Sequence, residues 1–409
     1  MYKFKCRGCG SIETTNFCDL GTCPPSNRYL TCEELNAVES YYPLKTFVCN
    51  SCLLVQTQDF AKSEDLFTAE YAYLSSTSAT WLKHAQLYSE MITYRLKLDH
   101  NSTITEIASN DGYLLCNFSG SKRAYGVEPT ELAAKIAQRR GIETVVDFFT
   151  VNLAKKLVME RGHSDLIICN NVLAHVPDIN DFVAGLSILL NKTGTITIEF
   201  PHLINMINYN QYDTIYHEHF SYLSLLSLTN ICKPHKLSIY DVEEIPTHGG
   251  SLRVYLKHSA NDEQASDNVD NIMKKEIFSG LGNLKTYSAF QEVVLSHKKK
   301  LQRFVLEQLG LGKRIYGFGA AAKGNTLLNF CGLKSDFISG IFDNAETKIG
   351  RYMPGSRIEI LDMCTSYKHN VDVALIFPWN IKSEIFNHIK KSNPNCRIYT
   401  LIPEIEEIS

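Results

Sequence analysis

Two Cys-x-x-Cys motifs near the N-terminus restrict what the first part of this chain can fold into. Their four cysteines are Cys6, Cys9, Cys49 and Cys52. Each motif is a tight turn that can direct two thiolates at one tetrahedral ion, at a distance of about 2.3 Å. We therefore predict a structural zinc site whose four thiolates close the coordination sphere. Cys18 and Cys23 are the alternative to one of the two pairs.

The composition is that of a globular protein with several domains. The 409 residues are 44% hydrophobic and 21% charged, and the net charge at pH 7 is −3. No stretch approaches the roughly eighteen apolar residues of a membrane helix, and the opening MYKFKCRGCG is too polar for a signal peptide. We expect a cytoplasmic chain without a disulfide framework. The slightly acidic balance argues against a nucleic-acid polymer as partner, so we expect a small-molecule partner. We also expect no membrane association and no obligatory protein partner.

Short apolar runs separated by helix-length segments follow the cysteine-rich region. Residues 79–98 carry apolar side chains at helical spacing, which predicts a leading helix. The runs lie at 103–108, 123–127, 142–146, 165–169 and 194–200, and again at 313–318, 337–342, 371–377 and 397–402. This alternation is typical of parallel sheets with crossover helices.

The predicted fold class is α/β with three domains. A small zinc-binding domain at 1–70 is followed by a central Rossmann-like domain at 71–260. A polar, helical connector with a solvated lysine-rich run spans 261–311, and a second, smaller Rossmann-like domain spans 312–409.

The turn after the first predicted strand is the predicted cofactor site. A loop that ends a first parallel strand and opens a helix presents free backbone N–H groups. Its candidate residues are Glu106, Ala108, Ser109, Asn110 and Gly112. This is not a GxGxxG loop, and a carboxylate followed by small residues suits a cofactor with an ammonium and a carboxylate, such as S-adenosylmethionine.

Residues after the next three strands extend this site. Glu128 ends the second strand, where a carboxylate can accept both ribose hydroxyls. Asp147 and Phe148 follow the third strand, where a carboxylate and a ring can hold adenine. Asn170, after the fourth strand, is assigned to the same site. Together they favour S-adenosylmethionine over solvated strand ends.

A run of proton-handling side chains follows the fifth strand. Tyr216, His217, Glu218 and His219 are consecutive, and histidine needs the least pKa adjustment for acid–base chemistry near neutral pH. A lone His-x-His is also compatible with a metal pair or a polar turn. His175 belongs to the same carboxyl edge of the sheet, where open α/β folds bind ligands, and this favours an active site.

A glycine- and alanine-rich loop follows the first strand of the C-terminal sheet. In GFGAAAKGNT, small residues let the backbone approach a diphosphate, and Lys323 adds a direct contact. The binding residues we select here are Gly319, Ala321, Lys323 and Asn325. The loop is not a P-loop, because the GK[ST] ending is absent.

The order of these motifs resembles the sugar C-methyltransferases that act on nucleotide-linked 4-keto-deoxysugars. The resemblance rests on the two Cys-x-x-Cys motifs, EIASNDG, IYHEHFSYLSL, HGGSLRVY and GFGAAAKGNTLLN, and it covers almost the whole chain. It implies that the central domain is a class I methyltransferase domain that binds S-adenosylmethionine, and that the C-terminal domain helps to hold the nucleotide sugar. It also implies base-catalysed formation of an enolate, which attacks the methyl group of S-adenosylmethionine from the carbon next to the ketone, C-3'. Ala108 departs from the family pattern, since methyltransferases commonly have Gly at this point.

The resemblance also implies roles for individual residues. His219 is the candidate base and Tyr216 its main competitor, Glu218 orients the base or the sugar, and His175 donates a hydrogen bond to the 4-keto oxygen. Tyr71, Tyr73 and Asn27 are expected near the sugar.

Two other functions stay open on the sequence. One is O- or N-methylation of another small metabolite on the same scaffold. The other is a zinc-containing dinucleotide-binding redox or sensing protein that uses GFGAAAKG as its cofactor loop. Five points cannot be inferred from these residues: the sugar and its nucleotide, which carbon is methylated, the stereochemistry of methylation, the oligomeric state, and whether His219 or Tyr216 is the base.

Overall fold

Three β-sheets organise the residues that the structure describes. The structure is a computed structural model that describes residues 4–60, 74–77, 79–118, 123–261 and 264–409. The small sheet near the cysteines, the large central sheet and the smaller C-terminal sheet confirm the predicted α/β class. Among the described residues, no helix combines the length and the apolar character that crossing a membrane requires.

The N-terminal sheet is antiparallel. Its strands are β1 (Thr14–Cys23), β2 (Tyr42–Cys49), β3 (Val55–Thr57) and β9 (Ser221–Tyr222). They pair in the order β1–β2–β3–β9. Cys49 ends β2, so the second Cys-x-x-Cys motif forms the turn between β2 and β3. Strand β9 comes from much later in the chain and ties this sheet to the central domain.

The central sheet has seven strands. They are β4 (Thr103–Ile107), β5 (Arg123–Val127), β6 (Glu143–Val145), β7 (Ser164–Asn170), β8 (Leu190–Pro201), β10 (Leu237–Ile245) and β11 (Ser251–His258). Their order is β10–β11–β8–β7–β4–β5–β6. Strands β4 to β8 pair in parallel, and the order reverses between β4 and β7. Ligands of open α/β sheets bind at such a switch point, so the loops after β4 and β7 flank the expected cofactor site.

The hairpin of β10 and β11 was not predicted from the sequence. It joins the sheet in antiparallel pairing along β8. Most of β10 is half-buried, which gives no continuous apolar run of the kind that marks a buried parallel strand.

Helices cover the central sheet. They are α1 (Ala79–Leu96), α2 (Glu131–Arg139), α3 (Val151–Arg161), α4 (Ile179–Leu189), α5 (Leu203–Asn208), α6 (Leu225–Cys232) and α7 (Asp267–Phe278). The predicted leading helix is confirmed as α1. Its Tyr88 and Ile92 are buried against Ile104 of β4 and Leu166 of β7, so burial of one apolar face holds it on the sheet.

The C-terminal sheet has six strands. They are β12 (Ile315–Phe318), β13 (Ile341–Asp343), β14 (Ile360–Asp362), β15 (Val373–Ile376), β16 (Arg397–Thr400) and β17 (Glu406–Ile408). Their order is β14–β13–β12–β15–β16–β17, and only β17 pairs antiparallel. Helices α9 (Ala322–Cys331) and α10 (Lys382–Ser392) accompany this sheet.

The long helix α8 (Leu284–Gly310) precedes the C-terminal sheet. Its Phe290 stacks on Phe17 of β1, with ring centroids 4.8 Å apart. Lys299 and Lys300 are exposed, as predicted for the lysine-rich run. His297 is an exception to that prediction, because its Nε2 donates to the Leu401 carbonyl and its Nδ1 accepts from the Tyr212 hydroxyl in the core. The segment therefore packs one face into the core.

Candidate active site

The four cysteines of the two Cys-x-x-Cys motifs lie together. Their Sγ atoms are all within 4.8 Å of one another, and the Cys6–Cys52 and Cys9–Cys49 pairs are each 3.5 Å apart. Four thiolates at this spacing fit one tetrahedral zinc ion, which would leave no open coordination position for chemistry.

The alternative ligands are placed elsewhere. Cys18 and Cys23 are buried in a hydrophobic cluster with Phe17 and Leu44. Burial raises the pKa of the Cys23 thiol to about 12 and also raises the pKa of the Cys18 thiol. These two cysteines are core residues.

The N-terminal sheet, which carries the cysteine cluster, contacts the turn that contains His219. Gln56 of β3 donates from Nε2 to Cys6 Sγ at 3.1 Å, and its neighbour Thr57 donates from Oγ1 to the His219 carbonyl at 2.9 Å. The Thr57 amide donates to the Phe220 carbonyl, and in the adjoining pairing of β3 with β9, Gln56 lies opposite Ser221. A short chain of contacts therefore runs from the cysteine cluster to the backbone of His219.

The loop after β4 has a strained backbone. Ala108 and Asn110 have φ of 58° and 50°, in the left-handed region that disfavours side chains. The Asn110 amide donates to Glu128 Oε2 at 2.9 Å. Ser109 packs so closely on β5 that a Cβ at Gly126 would come within 2.1 Å of its Oγ. Ala108 therefore adopts the conformation for which related loops commonly use Gly.

Buried polar atoms without protein partners surround this loop. Among the described residues, they include Glu106 Oε2, Ser109 Oγ and both side-chain polar atoms of Asn170 and Asn171. Unpaired buried polar groups are costly, so this set is suited to a polar ligand. Burial, followed by the charges of Glu128 and Asp111, raises the pKa of the Glu106 carboxyl. The positive charge of S-adenosylmethionine would offset that repulsion, so these residues fit the cofactor.

Asp147 and Phe148 lie at the exposed end of this region. Both follow β6 and are exposed to solvent, Phe148 by 48% of its surface. Asp147 Oδ1 accepts from the Phe148 amide. An open carboxylate and ring at this edge are compatible with a role at the adenosine end, and that role stays a prediction.

Replacing Glu128 with glutamine should weaken binding of S-adenosylmethionine. Glutamine keeps the shape of the side chain but lacks the negative charge that strengthens hydrogen bonds from the two ribose hydroxyls. A charge-assisted hydrogen bond contributes about 1.5–3 kcal/mol. We expect the Kd, measured by titration calorimetry, to rise about 10- to 100-fold. Glu131→Gln is the matched control, because Glu131 is an exposed carboxylate at the start of α2. Equal Kd values for the native and E128Q proteins would contradict the assignment.

Tyr216 and His219 form a hydrogen-bonded pair. The Tyr216 hydroxyl lies 2.8 Å from His219 Nε2, and His219 Nδ1 lies 2.8 Å from the Thr214 carbonyl oxygen. Because a carbonyl only accepts, Nδ1 carries the proton and Nε2 accepts from Tyr216. Burial and the nearby His175 lower the pKa of His219 well below its ordinary value, which keeps the imidazole neutral. The pair can take up a proton at Tyr216 and pass one to His219.

His175 lies beside this pair with a defined tautomer. Its ring centroid is 4.6 Å from that of His219, and its Nδ1 donates to the Glu218 carbonyl at 2.8 Å. Burial lowers the pKa of His175 to about 4, so Nε2 carries no proton near neutral pH. His175 therefore offers an acceptor where donation to a ketone oxygen was predicted.

Glu218 and His217 point to different neighbours. Glu218 Oε1 accepts from the Asn27 side-chain amide at 3.1 Å, so Asn27 lies at this turn. Glu218 Oε2 is buried and lacks a partner among the described residues. His217 Nε2 donates to the Pro43 carbonyl at 3.3 Å, which assigns His217 to the contact with the N-terminal sheet.

The C-terminal glycine-rich loop lies near these groups. Lys323 donates to Asn380 Oδ1 at 3.0 Å, and its Nζ lies 4.0 Å from the centroid of the Trp379 ring. The Trp379 indole N–H donates to Asp213 Oδ2 at 2.7 Å. Burial lowers the pKa of Lys323 to about 8 and raises that of Asp213 to about 6. Lys323 also lowers the pKa of His219, so the two lie within electrostatic range.

The other predicted residues of this loop have separate environments. Gly319 has φ of 86°, and a Cβ there would come within 2.5 Å of Pro378. Ala321 is the N-cap of α9. Asn325 is buried, and its Nδ2 has no partner among the described residues. Tyr71 and Tyr73 lie outside the described residues.

Several residues at this edge were missed by sequence reasoning. Buried Glu199 accepts from Arg253 Nε at 2.6 Å and contacts His84 Nε2 at 2.9 Å. His84 stacks on Trp81, with centroids 4.9 Å apart. These residues come from β8, β11 and α1, so no local motif joins them. An acid at the end of a β-strand was the only available signal for Glu199.

Three family models match most of the chain in consecutive parts. Residues 6–67 match a family model described as a zinc-binding domain, residues 81–240 a methyltransferase domain, and residues 246–403 a C-methyltransferase C-terminal domain. The chain is 31% identical over 407 residues to the C-methyltransferase NovU of Streptomyces niveus, covering 99% of this chain and 97% of that protein.

Solved structures match up to about half of the chain at low similarity. A SAM-dependent methyltransferase of Anabaena variabilis is 16% identical, with a TM-score of 0.36, and the match covers 42% of this chain and 83% of that one. The PH0226 protein of Pyrococcus horikoshii is 14% identical, with a TM-score of 0.38, and the match covers 49% of this chain and 100% of that one. These scores are too low to bear on function.

Proposed function

Since this chain belongs to the C-methyltransferase family, we propose that its substrate is a nucleotide-linked 4-keto-deoxysugar, methylated at the carbon next to the ketone, C-3'. The family assignment makes the chain an S-adenosylmethionine-dependent C-methyltransferase with a zinc-binding N-terminal domain. It removes O- or N-methylation and a redox or sensing function from consideration.

The observation that carries this proposal is the hydrogen bond between Tyr216 and His219 Nε2. Methyl transfer to carbon needs a carbon nucleophile, and an adjacent ketone makes the C–H bond acidic enough for a protein base. The pair is neutral, partly shielded from solvent and close to Lys323. A positioned base of this kind contributes about 10²- to 10⁴-fold to the rate.

In the proposed reaction, the substrate C–H bond breaks and its proton reaches the Tyr216 oxygen, while the Tyr216 proton moves to His219 Nε2. The electron pair is delocalised onto the ketone oxygen, and the enolate carbon forms the new bond to the methyl group. S-adenosylmethionine, which Glu106, Ser109 and Glu128 would hold, would supply the sulfonium methyl group, with S-adenosylhomocysteine as the leaving group. The Thr214 carbonyl stabilises His219 as it becomes positively charged, through the bond to Nδ1.

The C-terminal loop is proposed to hold the nucleotide part of the substrate. Lys323 is a cation at the start of α9, where small residues and the helix N-terminus favour a diphosphate. Asn27 and Glu218 contact each other and are proposed to hold the sugar between the N-terminal and C-terminal domains. The same proposal includes domains at 1–70, 71–260 and 312–409, with the connector at 261–311. It also includes action on this small molecule without an obligatory protein partner.

Hydrogen exchange at the substrate carbon tests this function. We expect the enzyme in D₂O to exchange the proton next to the ketone of a 4-keto nucleotide sugar, measured by NMR. With labelled methyl donor, the label should appear in a new carbon–carbon bond at that position. A matched 4-hydroxy nucleotide sugar, which cannot enolise, is the control and should show neither exchange nor methylation. Labelled O- or N-methyl products would contradict the proposal.

A further inference from the structure

His248 occupies an unusual place in the backbone. It lies in the turn between β10 and β11, and its φ of 52° and ψ of 27° are left-handed. Gly249 and Gly250 follow with φ of 87° and 103°. A residue with a side chain is disfavoured in this region, and such strain persists where the surrounding structure enforces it.

Three other elements hold this turn in place. Gln211 donates from Nε2 to the Gly249 carbonyl at 3.1 Å, and Asn205 donates from Nδ2 to the Gly250 carbonyl at 3.1 Å. A Cβ at Gly249 would come within 2.3 Å of the Trp379 ring. The turn is therefore packed against the same tryptophan that contacts Lys323.

The His248 imidazole lies among the groups of the candidate active site. Its ring centroid is 5.1 Å from that of Trp81, and after burial the largest influence on its pKa is the Lys323 charge. It also acts electrostatically on His219. In the part of the chain that the structure describes, no hydrogen bond of this imidazole to the protein is formed. A neutral imidazole always retains one N–H donor, and here that donor is available to a ligand.

The proposed reaction requires a donor at the ketone oxygen. Negative charge develops there as the proton leaves the neighbouring carbon, and aligned donors are often the largest source of rate enhancement in such reactions. His175 presents an acceptor at Nε2, because its Nδ1 donates to the Glu218 carbonyl. The Tyr216 hydroxyl donates to His219, and Glu218 accepts from Asn27. Among the titratable groups of the described residues that act electrostatically on His219, His248 and Lys323 remain as donors.

We propose that His248 is a catalytic residue that donates its imidazole N–H to the ketone oxygen and stabilises the enolate. This inference rests on the proposed function. The strained turn, the contact with Trp379 and the unused donor each support it, and Lys323 would strengthen the effect by its positive charge near the same oxygen.

His248→Asn and His248→Asp test the donor directly. Asn and Asp are of equal size and both tolerate left-handed backbone, but only Asn has an N–H donor. We expect H248D to lower the rate of carbon–hydrogen exchange, measured without methyl donor, about 10²- to 10³-fold. H248N should keep at least tenfold more exchange than H248D, and both variants should bind S-adenosylmethionine with native Kd.

Equal exchange rates in H248N and H248D, whether native or reduced, would overturn the donor role. Lys323→Met tests the competing donor: loss of exchange in K323M together with native exchange in H248D assigns the role to Lys323 and overturns the proposal. Failure of the native enzyme to exchange any 4-keto nucleotide sugar would instead reject the proposed function, so the two failures are distinguishable.

Discussion

Replacing His219 with alanine should remove nearly all methyl transfer and leave S-adenosylmethionine binding intact. His219 Nε2 is the acceptor for the Tyr216 hydroxyl, so without it Tyr216 has no partner to receive its proton. Loss of a positioned base predicts a fall in kcat of about 10²- to 10⁴-fold. Single-turnover kinetics with labelled donor measure the fall, and titration calorimetry measures the retained cofactor binding.

Tyr216→Phe is the matched variant for this experiment. It removes the hydroxyl but keeps the ring that packs on His219, with centroids 4.0 Å apart. If the proton passes through Tyr216, both variants lose carbon–hydrogen exchange to a similar degree. A near-native rate in H219A with a large loss in Y216F would show that Tyr216 removes the proton without His219.

The pH dependence of the rate should reflect the buried environment of His219. Burial and His175 lower its pKa below the ordinary value of about 6.5. The neutral, proton-accepting form therefore persists as the pH falls, and activity is lost only as the pH passes through the lowered pKa. We expect the acid limb of kcat to lie below pH 6.5. An acid limb at or above the ordinary histidine pKa would contradict a neutral, buried base.

Local patterns predicted the parts of the site that lie within short stretches of sequence. The two Cys-x-x-Cys motifs predicted a cluster that long-range folding then brought within 4.8 Å. The loop after β4 was predicted from small residues behind a strand, and the departure at Ala108 was visible. The conformation of Ala108 was not predicted. Its φ is 58°, because buried Ser109 and the Asn110–Glu128 hydrogen bond fix the loop.

Contacts between distant segments escaped prediction for a physical reason. The tautomer of His175 depends on the Glu218 carbonyl, 43 residues away, and no periodicity encodes that contact. His248 was visible in HGGSLRVY, but its importance depends on Trp81 and Trp379, which come from α1 and from the turn before α10. His297 was placed in a solvated run because its neighbours are lysines, whereas Tyr212 and Leu401 hold it in the core.

Removing the zinc site should lower kcat at least tenfold without removing the cofactor site. The cysteine cluster holds Gln56 through Cys6, and Thr57 of the same strand donates to the His219 carbonyl. The cofactor loop belongs to a different sheet and shares none of these bonds. We expect Cys9→Ser to lose stoichiometric zinc and to lower kcat at least tenfold, with a Kd for S-adenosylmethionine within about threefold of native. Metal analysis measures the zinc content, and titration calorimetry measures the Kd for S-adenosylmethionine.

Amide hydrogen exchange locates the cause of that loss. Strand β3 pairs with β9 directly after His219, so loss of zinc should increase deuterium uptake in peptides covering residues 214–224 and leave residues 103–112 protected. Cys32→Ser is the matched control, because Cys32 is also an exposed cysteine but lies outside the cluster. Thr57→Val should reproduce part of the kcat loss with zinc retained, since it removes only the side-chain bond to the His219 carbonyl. Native kcat in zinc-free C9S would contradict this prediction and show that the β3–β9 pairing holds the turn without the metal.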